Sequence, residues 1–349
     1  MLLALDTFEL NAGAPAVLKL LGDDPRFKLE LPASQIEIET PSASSVREVA
    51  AALLQARRFL VDRAGDRVRF ASAGVHPFSP GLGKLNRLRR YEHTIREHGR
   101  IAERQLVCAL RVHVSVGDAD RALAIYNAAR SYLPLIAALA ANAPFYEGSD
   151  TGLASVRPKL GELLPRQGIP PVIDSWEQLS DVFRWGHATG TFSAGHMWWW
   201  ELRLHPSFGT LEFRVPDAQT TVADAEAIAA VTQALVVWLG DRHDAGERLP
   251  VATGWQIEQN RWSACRHGVE GEMADLDAGT VRATRSLLQE LLATLAPVAA
   301  HLQSQAAFAH ARRMVEVNGA LAQRRAAREG GARRIAQWLS ERFLEPPRG

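Results

Sequence analysis

Trp198 to Asp217 reads WWWELRLHPSFGTLEFRVPD, and the alternation inside it decides how the rest of the chain is arranged. In its second half Leu211, Phe213 and Val215 alternate with Thr210, Glu212 and Arg214. Side chains on a strand alternate between faces, so the first three share one face and the last three the other. The first half behaves the same way, with Trp200, Leu202 and Leu204 set against Trp199, Glu201 and Arg203. Between the halves, His205-Pro206-Ser207-Phe208-Gly209 supplies the proline and glycine of a hairpin loop. The spacing therefore predicts two antiparallel strands, apolar on one face, with Glu201, Arg203, Glu212 and Arg214 on the other. Carboxylates hold cations and guanidinium forks hold phosphates, so this face suits a metal–phosphate ligand. A half-exposed hairpin with cross-strand ion pairs would give the same pattern.

Working outward, other segments repeat the design. Phe27 to Thr40 reads as one strand in which Glu37 and Glu39 share a face, and Pro41 stops it. Leu110 to Val116 alternates Leu110, Val112, Val114 and Val116 with Arg111, His113 and Ser115. A lone strand histidine is more often structural than a ligand, so His113 gains weight only from its neighbours. Ser45 with Glu48 forms a capping box ahead of a helix through VREVAAALLQARRFLV. Leu85 to Gln105 reads as a basic amphipathic helix, and Asp118 caps a helix to about Asn142 that Pro134 should kink. The polar connection NAPFYEGSDTGLASVRPKL carries Arg157, and a helix near Trp176 to Ala188 leads back to the hairpin. VADAEAIAAVTQALVVWLG reads as amphipathic, and the chain from Gln256 onward as helical, broken at Gly268, Gly279, Gly319 and Gly330-Gly331 before the EPPRG tail.

Strands with one apolar face, interspersed with longer helices, predict a single α+β domain over residues 1–349. Its antiparallel sheet would carry helices packed on one face and an open polar face on the other. Glu37, Glu39, Arg111, His113, Glu201, Arg203, Glu212 and Arg214 would all look into that basin. So mixed a ring of carboxylates and arginines favours a ligand site over a solvated face.

Composition sets outer limits. The 349 residues, 47% apolar and 23% charged, describe an ordinary globular chain with ample core. A formal net charge of +1 gives no global field for nucleic acid or anionic lipid, so neither is an expected partner. Cys108 and Cys265 form no C-x-x-C pair, which argues against a disulfide scaffold or thiolate zinc site. Asp6 interrupts any signal-peptide core, and Asn127, Arg130 and Pro134 interrupt the most apolar long run, so no membrane span and a cytoplasmic location are expected.

Six ordered segments carry a resemblance. SQIEIETP from Ser34, AGVHPF from Ala73, RVHVSV from Arg111, ANAPFYEGSDTGLASVRP from Ala141, the hairpin with its DAQT extension, and NRWSACRHGVEG from Asn260 together cover nearly the whole chain. The chain resembles the carboxylate–amine ligase family, also called glutamate–cysteine ligase type 2, whose fold is glutamine synthetase-like. The resemblance implies an ATP-dependent enzyme that phosphorylates a small-molecule carboxylate and lets an amine displace the acyl phosphate. It implies ATP and magnesium as cofactors, Glu37 and Glu212 as metal ligands, and Arg214, Arg157 and Arg203 as catalytic arginines. Arg214 would steady the transferring phosphoryl group and Arg157 would bind substrate carboxylate or phosphate. Arg111, His113 and Arg214 would contact the nucleotide. A homodimer is compatible with this reading, although nothing in the sequence demands one.

Two departures set the alternatives. The family's first strand carries a Gly-x-Glu-x-Glu motif that is absent here, so MLLALDTFELNAGAPAVL is expected to match the segment that follows it. The family's His-Val-His-Val strand appears as Arg111-Val112-His113-Val114. A guanidinium donates only, and at about 4 Å it would repel a divalent ion by roughly 8 kcal/mol at an effective dielectric of ~20. One expectation is therefore a working ligase. The other is a catalytically degenerate relative that binds nucleotide or amino acid as a regulatory protein.

Overall fold

The computed structural model describes residues 1–192 and 197–347. Its central element is a three-stranded antiparallel sheet in which Thr210–Phe213 lies between Val112–Ser115 and Leu202–His205. The register aligns Val112 with Phe213 and Leu202, and His113 with Glu212 and Arg203. Because alternate residues share a face, one row across the sheet is apolar and the next is wholly polar. Val112, Val114, Leu202, Leu211 and Phe213 are buried against helices. The row His113–Glu212–Arg203 faces the other way.

The helical layer is built around Val222–Asp244, whose start is fixed by a capping box between Thr221 and Asp224. The sequence pattern suggested an amphipathic helix. In the fold it is buried nearly all round, packed against the helices Val46–Ala64, Ala119–Ala129, Thr284–His301 and Gln305–Glu316. This helix and the segment Ala119–Leu139 are long and apolar enough to cross a membrane, yet 67% and 61% of their apolar windows are buried inside the fold. Pro134 does not bend one continuous helix. A 3-10 turn at Arg130–Tyr132 intervenes, and the proline sits in the first turn of a second helix, Leu133–Leu139, where its missing N–H costs nothing.

Several elements are shorter than their patterns. The run Phe27–Thr40 is a hairpin, Phe27–Leu29 paired with Ile36–Ile38, and it does not join the central sheet. Pro32 explains the break, since a proline cannot serve as a ladder donor. The basic helix is split by Gly99 into Arg89–His98 and Arg100–Glu103. Trp198–Glu201 precedes the strand without belonging to it. The region after Gln256 contains a hairpin, Glu272–Ala274 with Val281–Ala283, turned at Gly279, whose φ of 67° suits a residue without Cβ. Ser45 caps its helix through the Glu48 N–H, whereas the Glu48 carboxylate accepts from the Ser44 N–H at 3.0 Å, so the expected box closes one residue early. Gly330 and Gly331 kink the last helix, Gly319–Glu341. Arg348 and Gly349 of the expected tail lie outside the described residues.

Arg57 ties the distant ends of the chain together. Its guanidinium donates to the carbonyls of Gln219 at 3.0 Å, Thr220 at 2.8 Å and Phe343 at 2.9 Å, and burial lowers its pKa to about 10.

Candidate active site

Glu212 stands in the middle strand and is 1% exposed. Its neighbours follow from the register: Arg203 is directly opposite on one side and His113 on the other. Arg203 Nε donates to Glu212 Oε2, and Arg214 Nη1, two residues along the chain and just past the strand, donates to Oε1 at 2.7 Å. His113 Nε2 lies 3.8 Å from the same oxygen. Burial alone would raise the Glu212 carboxyl, but Arg214, Arg203 and His113 outweigh it and hold it down to about 2. Arg214 feels the reverse balance: burial and the like charges of Arg111 and Arg203 bring it to about 10 despite Glu212.

The second cluster forms where the Phe27–Ile38 hairpin meets the edge strand. Arg111, just before Val112, donates through Nη1 to Glu37 and through Nη2 to Glu30 Oε1 at 2.9 Å. Burial pushes the Glu37 carboxyl up, whereas for Glu30 the charges of Arg111, Arg90 and Arg214 overcome burial and pull it down. Tyr91 backs the clasp, its hydroxyl 3.1 Å from the Leu29 carbonyl and 3.3 Å from Glu30 Oε2.

His113 is held by a hydrogen bond between Nδ1 and Thr210 Oγ1 at 3.0 Å. Its ring sits 5.5 Å from His205 and 5.7 Å from Phe208, and the latter two stack at 4.3 Å with planes 9° apart. Burial lowers the pKa of both histidines, more than the nearby Glu212 raises it. Two neutral imidazoles and a ring therefore close one end of the polar face.

The structure thus brings Glu37, Arg111, His113, Arg203, Glu212 and Arg214 into one continuous polar surface. Three expected members stand elsewhere. Glu39 pairs with Lys28 on the exterior. Glu201 is buried in a fork with Arg261: its carbonyl still accepts the Arg214 N–H at 2.7 Å, but its side chain turns to the helix Gly254–His267. Arg157 belongs to a neighbouring buried cluster: Nε donates to Asp217 Oδ1 at 2.6 Å and Nη2 to the Val215 carbonyl at 2.5 Å. Ser155 Oγ and the Asn142 N–H complete the shell of Asp217. Nη1 is the one donor group of Arg157 with no hydrogen-bond partner among the described residues. Glu30 escaped sequence reasoning because it was placed mid-strand. Pro32, two residues on, was the signal that the strand ends there.

A resident magnesium does not fit the donor set as it stands. Among the described residues no group of three or more His, Cys, Asp or Glu is placed to hold a metal ion. Both oxygens of Glu212 accept from arginines, and Glu37 is bound by Arg111, so each expected ligand already has its cation. What the surface offers instead is a bank of guanidiniums, Arg111, Arg203 and Arg214, able to exchange carboxylate partners for phosphate oxygens of similar geometry.

Comparison with known proteins places the chain in a family. The profile of glutamate–cysteine ligase family 2 matches residues 8–337. A Rubrobacter xylanophilus protein, provisionally named glutamate–cysteine ligase 2-3, is 38% identical over 321 residues, 89% of this chain and 85% of the relative. A Frankia alni protein provisionally named glutamate–cysteine ligase 2-1 is 34% identical over 90% of this chain and 84% of its own length. In fold, the chain is similar to a Francisella tularensis glutamate–cysteine ligase solved in complex with AMP, with a TM-score of 0.66 at 11% identity over 99% of this chain and 86% of that one. It is also similar to the Pup ligase PafA in complex with ADP, with a TM-score of 0.51 at 14% identity over 93% of this chain and 70% of that one. The α+β architecture with a glutamine synthetase-like sheet is thereby established, and the chain belongs to glutamate–cysteine ligase family 2, the ATP-dependent carboxylate–amine ligases.

Proposed function

We propose that the polar face binds ATP through its phosphates and transfers the γ-phosphoryl group to the carboxylate of a small acid, glutamate being the family default. The acyl phosphate then loses inorganic phosphate as an amine forms the new C–N bond. The observation that carries this reading is the His113–Glu212–Arg203 row flanked by Arg214 and Arg111. Phosphoryl transfer asks the protein chiefly for positioning and charge neutralisation, and three guanidiniums on a rigid sheet supply both. Arg214 and Arg203 leave Glu212 to grip the transferring group. Arg111 swings from Glu37 to the other phosphates, and His113, kept neutral, steadies them as a hydrogen-bond partner. Arg157 fixes the Asp217 wall and offers its unengaged Nη1 to the substrate carboxylate. Magnesium would have to enter on the nucleotide itself, since in the ligand-free fold the protein carboxylates are already paired with arginines. Cytoplasmic location and a small-molecule amine partner complete the proposal.

A second reading rests on one observation, the guanidinium of Arg111 lodged between Glu30 and Glu37. It gives a nucleotide-binding regulator with weak turnover. Both readings meet in one experiment: calorimetric titration of ATP, with and without magnesium, into the natural chain and Arg214→Ala, beside an ADP-release assay with glutamate and a panel of amines. Loss of nucleotide binding in Arg214→Ala supports the site. Brisk amine-dependent ADP release selects the ligase, and binding without release selects the regulator. Undiminished nucleotide binding in Arg214→Ala would remove the polar face from the function.

A further inference from the structure

Arg130 is a buried charge that the proposed chemistry does not use. It follows the helix Ala119–Ala129 into the helical layer and is 1% exposed. Its Nε donates to the Pro170 carbonyl at 2.7 Å and its Nη1 to the Ala252 carbonyl at 3.3 Å. No carboxylate among the described residues pairs with it, and Nη2 has no hydrogen-bond partner among them. A Cβ placed on Gly254 would sit 3.7 Å from that Nη2, which locates the unengaged donor beside Gly254. Carbonyl dipoles solvate a guanidinium but leave its charge uncompensated. Burying an uncompensated charge is costly, and burial lowers the Arg130 pKa accordingly.

That donor lines a cavity of about 420 Å³, in the range of small-molecule sites. Pro170, Pro171, Trp200 and Trp255 form apolar walls, with Glu258 at the rim. None of Glu37, Arg111, His113, Arg203, Glu212 or Arg214 takes part in it. Trp255 is 74% exposed, so a large indole stands in solvent beside this opening with its face uncovered. Glu258 pairs with Lys159 only loosely, at 3.7 Å, and burial raises its carboxyl. The cavity therefore offers one uncompensated positive group, Arg130, two carboxylates, Glu162 neutralised by Lys159 at 2.8 Å and Glu258 only weakly compensated, and aromatic and proline walls.

We propose that this cavity binds a free α-amino acid with an apolar side chain. The α-carboxylate takes a charge-assisted hydrogen bond from Arg130 Nη2, the ammonium faces Glu258, and the side chain lies against Trp255 and Pro170. The cavity shares no lining residue with the polar face, so its occupant is distinct from the acid phosphorylated there. It gives the fold a second amino-acid site.

The test uses the full chain and calorimetry with L-leucine and L-phenylalanine, alongside 4-methylpentanoate and 3-methylbutan-1-amine, which lack the ammonium and the carboxylate of leucine. One or both amino acids should bind, with the acid at least about tenfold weaker and the amine weaker still. Trp255→Ala and Glu258→Gln, both at the rim, should each weaken binding by about tenfold while leaving circular dichroism unchanged. Arg130→Met should abolish it, and the two rim variants keep the result interpretable if that protein folds poorly. Binding should survive Arg214→Ala and be indifferent to saturating ATP. The proposal is overturned if neither amino acid binds at about 10 mM. It is also overturned if binding is insensitive to both rim changes, or if Arg214→Ala or ATP removes it.

Discussion

Replacing Glu212 by glutamine is the sharpest perturbation available, because it changes one charge at the centre of the sheet and almost no volume. In the fold the carboxyl is held at about 2, against an ordinary 4.5. A group whose folded pKa is depressed contributes stability above its unfolded pKa and loses it as pH falls through the folded one. The difference corresponds to about 3 kcal/mol at neutral pH. Glutamine accepts hydrogen bonds from Arg203 and Arg214 but cannot neutralise them, so most of that stabilisation should vanish. The natural protein should therefore exceed Glu212→Gln by about 3 kcal/mol at pH 7 and still at pH 5, the gap closing to about 1.5 kcal/mol by pH 3. Urea unfolding followed by circular dichroism across that range measures both quantities. A gap below about 1 kcal/mol at pH 7, or one that does not narrow between pH 5 and pH 3, would refute the idea that arginines hold this carboxylate charged.

Other consequences follow from particular contacts. Arg111→His releases Glu30 and Glu37 from their shared guanidinium, so ATP affinity should become at least about tenfold more dependent on magnesium, as read by paired titrations with and without the ion. His76 accepts the Ser79 N–H through Nδ1 at 2.8 Å while Nε2 meets the Phe8 carbonyl at 2.8 Å, so the fold requires its neutral form, and burial lowers its pKa from 6.5 to about 4. Stability should fall by about 3 kcal/mol as pH drops from 6.5 to 4 on account of this one group, and a histidine NMR titration should find a ring that stays neutral throughout most of that window. Gly319→Ala would place a Cβ 2.1 Å from Asn142 Oδ1 inside a buried amide network, and should cost about 2 kcal/mol in urea unfolding.

The central hairpin was legible because period two survives wherever one face packs and the other does not. The same rule located His113 and Arg111 on the facing edge, since Val112 and Val114 are buried beneath them. It failed at Glu201, one residue before the strand starts, whose carbonyl still accepts the Arg214 N–H but whose carboxylate is claimed by Arg261, 60 residues on. It also merged Phe27–Leu29 with Ile36–Ile38, because two short strands on either side of Pro32 share the composition of one long strand. Arg157 illustrates a different limit. Its residue type suggested a ligand, but its partner Asp217 lies 60 residues on, and no local pattern reports such a pairing. Nor could the sequence show that Val222–Asp244 is enclosed on nearly all sides, since two of the helices covering it come from the last fifth of the chain.

The charge balance of the polar face explains why arginine at position 111 alters more than one ligand. Three carboxylates meet three guanidiniums, Glu30 and Glu37 sharing Arg111 while Arg203 and Arg214 share Glu212, so the charges balance. Polyphosphate entering such a surface brings several negative charges, and each guanidinium that turns to it strands a carboxylate. A stranded acid has two remedies, a proton or a cation. Glu37, whose carboxyl is already pushed up by burial and by Glu30 and Glu39, is suited to the first. Glu212, held near 2, resists protonation and is suited to the second. With histidine at position 111 the surface would hold one positive charge fewer, and both acids would lean on a metal ion. With arginine there, one acid can be satisfied by a proton and the other by guanidiniums, so the requirement for metal falls as the positive charge of the protein rises.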